Sequence, residues 1–242
     1  YFAPRVLQPS LPYTNVVLMV VLIFFVAVTA FMASPFTRLD FVPADGQGIN
    51  PLLTHFGMFL HPPLQMTGHI AIAVPFAFAL GALLSGRTRD EWVDVGRTWG
   101  ILAWAVLGAG NLLGAWWAYT ILGWGGYWGW DPIESVGLMP WLVATALIHS
   151  LGVQRRRGMF RMWNLCLIII TFGLAQFGMF INRGGPSVSV HSFGQSPLGW
   201  LFLVFMGTTL LFSFGVVFMR YSALRSAQAL ESPLSREAAF LV

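Results

Sequence analysis

Six apolar runs decide what this chain can fold into: roughly 14–35, 64–85, 98–118, 135–153, 162–181 and 198–219. A helix rising 1.5 Å per residue needs about 20 apolar residues to cross a hydrocarbon core about 30 Å thick. Backbone in hydrocarbon must satisfy its own hydrogen bonds, so runs of this length read as spanning helices. Composition agrees. The chain is 57% hydrophobic and 9% charged, with a mean hydropathy of +0.71, where soluble domains carry about 25% charged residues. The expectation is an all-α, polytopic membrane helical bundle of about six transmembrane helices, with residues 1–242 forming a single transmembrane domain. No repeat or low-complexity stretch divides it. The first apolar run is too long for a signal peptide and lacks a cleavage site after it. With Tyr1 at one end and Phe240, Leu241 and Val242 at the other, the chain reads as an internal segment of a longer polypeptide.

Arginine sets the expected orientation. The chain has no lysine, and its 13 basic residues flank the spans. That placement calls for a membrane rather than a nucleic-acid partner. Eleven arginines fall on the side of the N-terminus, the 86–97 loop, the 154–161 loop and the tail; only Arg38 and Arg183 fall on the other. Cytoplasmic loops concentrate cations. The long connections 36–63 and 182–197, and the loop 119–134 between them, are therefore expected outside the cytoplasm.

That middle loop is the second constraint. Leu122 to Trp141 reads LGWGGYWGWDPIESVGLMPW, with Trp124, Tyr127, Trp128 and Trp130 interleaved with Gly123, Gly125, Gly126 and Gly129. Tryptophan and tyrosine gather at membrane interfaces, and a dense aromatic belt is one reading. The other is a platform for a large planar apolar ligand, with haem the first candidate, because the glycines let the backbone approach something flat. The loop closes on a helix-start signature: Asp131 at the N-cap, Pro132 at the first helical position and Glu134 completing a capping box. Ser196 and Pro197 carry the same signature for the last span. A carboxylate repels propionates, so Asp131 is read as a cap at the edge of the platform.

Five histidines accompany it: His55, His61, His69, His149 and His191. His61 ends the first outer loop, ahead of Pro62 and Pro63; His191 lies in the third. Both flank the aromatic loop in sequence and share its side. Each alone reads as a solvated loop histidine, but together they suit a bis-histidine haem lying on the loop. His149 lies within the fourth span, about 21 Å along the helix from Ser135. An ionisable side chain there is a functional candidate, although no partner at its depth is evident. His55 and His69 read as loop and packing residues, and Asn111 as a helix–helix hydrogen-bonding residue. Arg183 borders the third outer loop. The single cysteine, Cys166, sits in an apolar run and reads as a structural thiol. No Walker loop, HExxH, nucleophile elbow or CxxC is present.

Four stretches together resemble the CcmF haem lyase family of cytochrome c maturation: WGGYWGWDPIESVGLMPWL, ALIHSLGVQRRRGMF, NRGGPSVSVHSFG and DGQGINPLLTHFGMFLHPPLQMTGHIAIAVPFAFA. The terminal SREAAFL fits as well. The related haem handlers CcmC and CcsA share the tryptophan-rich motif but not the DPxExxxLMPWL continuation. The resemblance implies that His61 and His191 are the iron ligands of an outer haem. It implies that Trp124, Gly125, Gly126, Tyr127, Trp128, Trp130 and Asp131 form its surroundings, and that His149 ligates a second, b-type haem whose other ligand lies downstream. It further implies a bacterial inner (cytoplasmic) membrane protein with the tryptophan-rich loop facing the periplasm. Such a protein takes haem from the chaperone CcmE and attaches it to the CxxCH thiols of apocytochrome c presented by CcmH-type partners. Membrane lipid surrounds it, and quinol is a candidate reductant of the inner haem. A CcmC-like haem transporter or chaperone-loading protein without lyase activity is the alternative, and a cofactor-free membrane scaffold the third class. Tyr127 stands where the family usually has tryptophan, Gly129 where it has an aromatic ring, and Ser135 where it has asparagine.

Overall fold

The computed structural model describes residues 5–46, 48–87, 89–185, 188–191 and 198–225. Every regular element among them is helical. In chain order they are α1 (Leu11–Phe31), α2 (Gly57–Ala71), α3 (Ala73–Leu84), α4 (Val93–Ile121), α5 (Pro132–Arg157), α6 (Arg161–Asn182) and α7 (Gly199–Met219). Helices α2 and α3 form one span broken at Ile72, so six membrane-crossing segments result among the described residues. The break has a local cause: Pro75 has no N–H for the carbonyl of Ala71, and its ring crowds that carbonyl.

The spans alternate in direction, which gathers the described arginines of the N-terminus, the α3–α4 and α5–α6 turns and the segment after α7 at one end, called here the arginine end. The tryptophan-rich loop, between α4 and α5, lies at the other. Burial ranks the helices. The α2–α3 and α6 spans are each 61% buried, whereas α1 and α7 are each 17% buried and line the outside. The core forms where α3, α4, α5 and α6 meet, around Phe76, Leu83, Leu107, Leu147, Leu151 and Ile168. In it Phe76 stacks on Phe172 at 4.1 Å. The outer pair α1 and α7 meet through Phe24 and Phe205, stacked at 3.9 Å.

Two spans start five or more residues before their apolar runs. α4 begins at Val93 rather than near residue 98, and α2 begins at Gly57 rather than near 64. The early start of α2 carries Pro62 and Pro63 inside the helix. Two carbonyls lose their donors there, close to the helix end. His55 offsets the cost by capping: its Nδ1 accepts the N–H of Gly57 at 3.1 Å. His61 is thereby a helical residue and not a loop residue. The capping box at the start of α5 is present as the sequence signals: Ile133 N–H donates to Asp131 at 3.0 Å, and Glu134 accepts the Asp131 N–H at 3.3 Å. The helix start at Ser196 and Pro197, and the SREAAFL motif, lie outside the described residues.

Candidate functional site

The site is built on the antiparallel pair α2 and α4. His61, Gln65 and Gly68 repeat at four and three residues and share one face of α2. Opposite them stand Gly114, Gly110 and Leu107. A β-carbon at Gly114 would lie 2.5 Å from Cε1 of His61, one at Gly110 2.6 Å from the Gln65 amide, and one at Gly68 2.6 Å from the Leu107 backbone. The absence of side chains at these points lets the helices touch, as small-xxx-small pairs do in membranes. The approach seats the His61 ring, whose Nδ1 lies 2.8 Å from the carbonyl of Gly110. A carbonyl only accepts, so Nδ1 carries the proton and the neutral ring presents a lone pair on Nε2.

His191 reaches the same region from the segment after α6. Its Nδ1 lies 3.1 Å from Asp131 Oδ2, the carboxylate that caps α5. Ser189 donates to the same oxygen at 2.6 Å, and the His191 N–H donates to Ser189 Oγ at 3.0 Å. The same logic puts the Nδ1 proton towards Asp131 and leaves Nε2 available. The ring packs against Trp117, at 5.4 Å between centroids, and stands 6.5 Å from Trp124.

The two imidazoles share their cavities. A cleft of about 480 Å³ is lined by both, with Leu53, Met58, Trp117, Ile133 and Arg183 among its walls. A smaller cavity of about 60 Å³ is lined by both again, with Gln65, His69, Asn111, Trp128 and Glu134. The larger volume falls in the range of small-molecule sites. Gln65 bonds Asn111 across α2 and α4 at 3.2 Å, the helix–helix role expected of Asn111. Yet Gln65 Oε1, Asn111 Nδ2 and Trp128 Nε1 are buried without a partner among the described residues. Buried polar atoms are rarely left so unless a ligand or water meets them.

The aromatic loop does not lie as one flat shelf. Trp128 lines the smaller cavity, and Trp124 turns towards His191. Tyr127 turns aside to stack on Tyr119 at 4.3 Å. Trp130 is 74% exposed and set edge-on to Trp128 at 5.9 Å. Its φ of +56° is unusual for a bulky residue and marks local strain. Gly125, at φ +70°, makes the turn, and Gly126 stands in open space. Gly129 explains itself: a β-carbon there would come within 2.7 Å of the Trp124 indole, which packs on the bare backbone.

Two residues join the site that the sequence reading left out of it. His69 lines the smaller cavity rather than serving packing alone; its Nδ1 donates to Gln65 O at 2.8 Å. Trp117, fully buried, donates from Nε1 to Leu52 O at 3.2 Å and so ties the first outer loop to the cleft. A signal for both was present: GNLLG at 110–114 is a close-approach motif, and a helix extended back through the prolines aligns His61, Gln65 and His69. His149 stands apart, exposed on the face of α5 that also bears Leu142. Cys166 is half-buried and unpaired.

Paired imidazoles, each anchored through Nδ1, thus stand at one end of a polytopic helical membrane protein. The chain belongs to the cytochrome c assembly protein family, whose model matches residues 4–185. Among its relatives is the cytochrome c-type biogenesis protein CcmF of Pseudomonas aeruginosa, 47% identical over 188 residues, or 75% of this chain and 29% of that protein. CcmF of Escherichia coli is 45% identical over 190 residues, covering 76% of this chain and 29% of the relative. A solved cytochrome c heme lyase CcmF superimposes with a TM-score of 0.72 at 33% identity, covering 95% of this chain and 33% of that one. The chain thus spans about a third of the length of these relatives.

Proposed function

We propose that this segment carries the haem site of a cytochrome c haem lyase, with His61 and His191 as the two axial ligands. One observation carries the reading: both imidazoles line the same two cavities, and each has its Nδ1 engaged and its Nε2 without a hydrogen-bond partner among the described residues. Among the described residues no cluster of three His, Cys, Asp or Glu side chains suits a bare metal ion. An iron already held in a macrocycle needs only two axial groups. Apolar walls from Leu53, Met58 and Trp117 suit a porphyrin face, and Arg183 on the same cleft suits a propionate.

When bound, haem supplies the iron that the histidines ligate and the vinyl groups to which apocytochrome thiols add. The chain's own work is positioning. His61, on a helix locked against α4, and His191, tethered by Asp131, would set the plane of the ring. Trp128 and Trp124 border it. Addition of a thiol S–H across a vinyl double bond needs no nucleophile from this chain.

In this reading the arginine end is cytoplasmic and the cleft faces the periplasm across the inner membrane. His149, exposed on α5, is one ligand of a b-type haem whose second ligand comes from outside these residues, with quinol as its electron source. The partners are the haem chaperone CcmE, CcmH-type proteins and apocytochrome c.

The test is made in the full-length polypeptide. His61→Ala and His191→Ala should each abolish haem-stainable cytochrome c while leaving the protein in the membrane. Normal assembly in both would overturn the reading. Haem loading without thioether formation in a reconstituted assay would instead assign the CcmC-like transfer role.

A further inference from the structure

We infer that Asp131 is a positioning residue for His191, and that it couples the fold of the tryptophan-rich loop to the strength of one iron ligand. The inference rests on the haem reading above. It uses three bonds that converge on one carboxylate. Asp131 Oδ2 accepts the Ile133 N–H at 3.0 Å, which caps α5; it accepts the Ser189 hydroxyl at 2.6 Å; and it meets His191 Nδ1 at 3.1 Å. The Asp131 side chain is 7% exposed and that of His191 14%. The pair is therefore shielded from water, and the carboxylate acts at close to full strength.

The chemistry differs between the two ligands. His61 Nδ1 donates to a neutral backbone carbonyl, and His191 Nδ1 to a carboxylate. A carboxylate bound to the far nitrogen of an imidazole fixes its tautomer and makes the other nitrogen a stronger donor. His191 is thus the more basic ligand and His61 the weaker one. A stronger donor favours ferric over ferrous iron, so Asp131 holds the midpoint potential of the bound haem down. The coupling is geometric. Asp131 follows directly on Trp130, the strained residue of the aromatic loop, and Glu134 ties that corner by accepting the N–H groups of Gly129 and Asp131 at 3.1 and 3.3 Å. A change in the loop at Gly129–Trp130 moves the carboxylate that aims His191. Trp130 is thus one peptide bond and one hydrogen bond away from the His191 ring.

Asp131→Asn separates capping from charge, because asparagine caps a helix as well as aspartate does. Ser189→Ala removes the hydroxyl that holds the carboxylate and leaves the cap alone. The full-length protein is purified in detergent, loaded with haemin and followed by absorption spectra and redox titration. Asp131→Asn should bind haemin about 10–100-fold more weakly, raise the midpoint potential, and let added imidazole displace a ligand at lower concentration. Ser189→Ala should shift all three in the same direction by less. Loss of bis-histidine binding by wild type itself would overturn the haem reading and this inference with it. If wild type binds through two histidines and Asp131→Asn has the same potential, affinity and imidazole sensitivity, the positioning role alone is overturned.

Discussion

Gly114 shows how much a single position controls. Its bare α-carbon is what allows the His61 ring to lie against α4, with a β-carbon there only 2.5 Å from Cε1. Gly114→Ala must push the imidazole aside or part the helices. Overpacking of this kind costs about 1–3 kcal/mol, and a ligand displaced by about 1 Å loses most of its positioning value. The expected outcome is a lowered melting temperature and loss of six-coordinate haem, read by thermal unfolding and by the absorption spectrum. Gly129 works in the opposite sense to intuition. The family's usual aromatic ring at this place would be expected to improve haem contact if restored. Here the Trp124 indole already occupies that space, so Gly129→Trp should weaken haemin binding, as a binding titration would read.

The α2–α4 contact predicts a contrast along one helix. Gly110 lies against Gln65, whereas a β-carbon at Gly100 meets nothing within 4 Å. Gly110→Ala should cost about 1–3 kcal/mol, while Gly100→Ala should be neutral or gain up to about 1 kcal/mol from helix propensity. Equal melting temperatures for the two variants would contradict the packing. The same pair shows what could be read in advance. Six spans were legible because apolar length is a one-dimensional property, and the start of α5 because capping is local chemistry. The start of α2 was not, because Pro62 and Pro63 look like a loop unless the histidine cap before them is known. The convergence of His61 and His191 on one side was legible from arginine counting. Their hydrogen-bond partners, Gly110 and Asp131, were not, since each bond spans about 50 to 60 residues of chain. Tyr127 and Trp130 read as parts of one platform but face elsewhere, because tertiary stacking on Tyr119 and the left-handed turn at Trp130 decide their directions.

At the level of the molecule, polar order at the arginine end holds the bundle in register with the cleft at the far end. Asp90 accepts from Arg161 at 3.0 Å and from Gln154 at 2.9 Å, and Gln154 accepts from Asn164 at 2.7 Å, linking the α3–α4 turn to α5 and α6. Asp90→Ala leaves Gln154 and Arg161 without that acceptor. Asp90 is partly exposed, so about 1–2 kcal/mol is the expected loss, measurable as a fall in melting temperature. Orientation is open to labelling. In a Cys166→Ser background, Tyr127→Cys should react with an impermeant maleimide from the periplasm, and Arg156→Cys only after the membrane is opened. The reverse pattern would invert the bundle. A haemin titration of the purified full-length protein tests most directly whether one iron is held between the His61 and His191 rings. With the proposed inner ligand removed by His149→Ala, wild-type His61 and His191 should give one low-spin, six-coordinate haem. His61→Gly and His191→Gly should each give a five-coordinate spectrum that added imidazole restores. A six-coordinate spectrum unchanged in either glycine variant would contradict it.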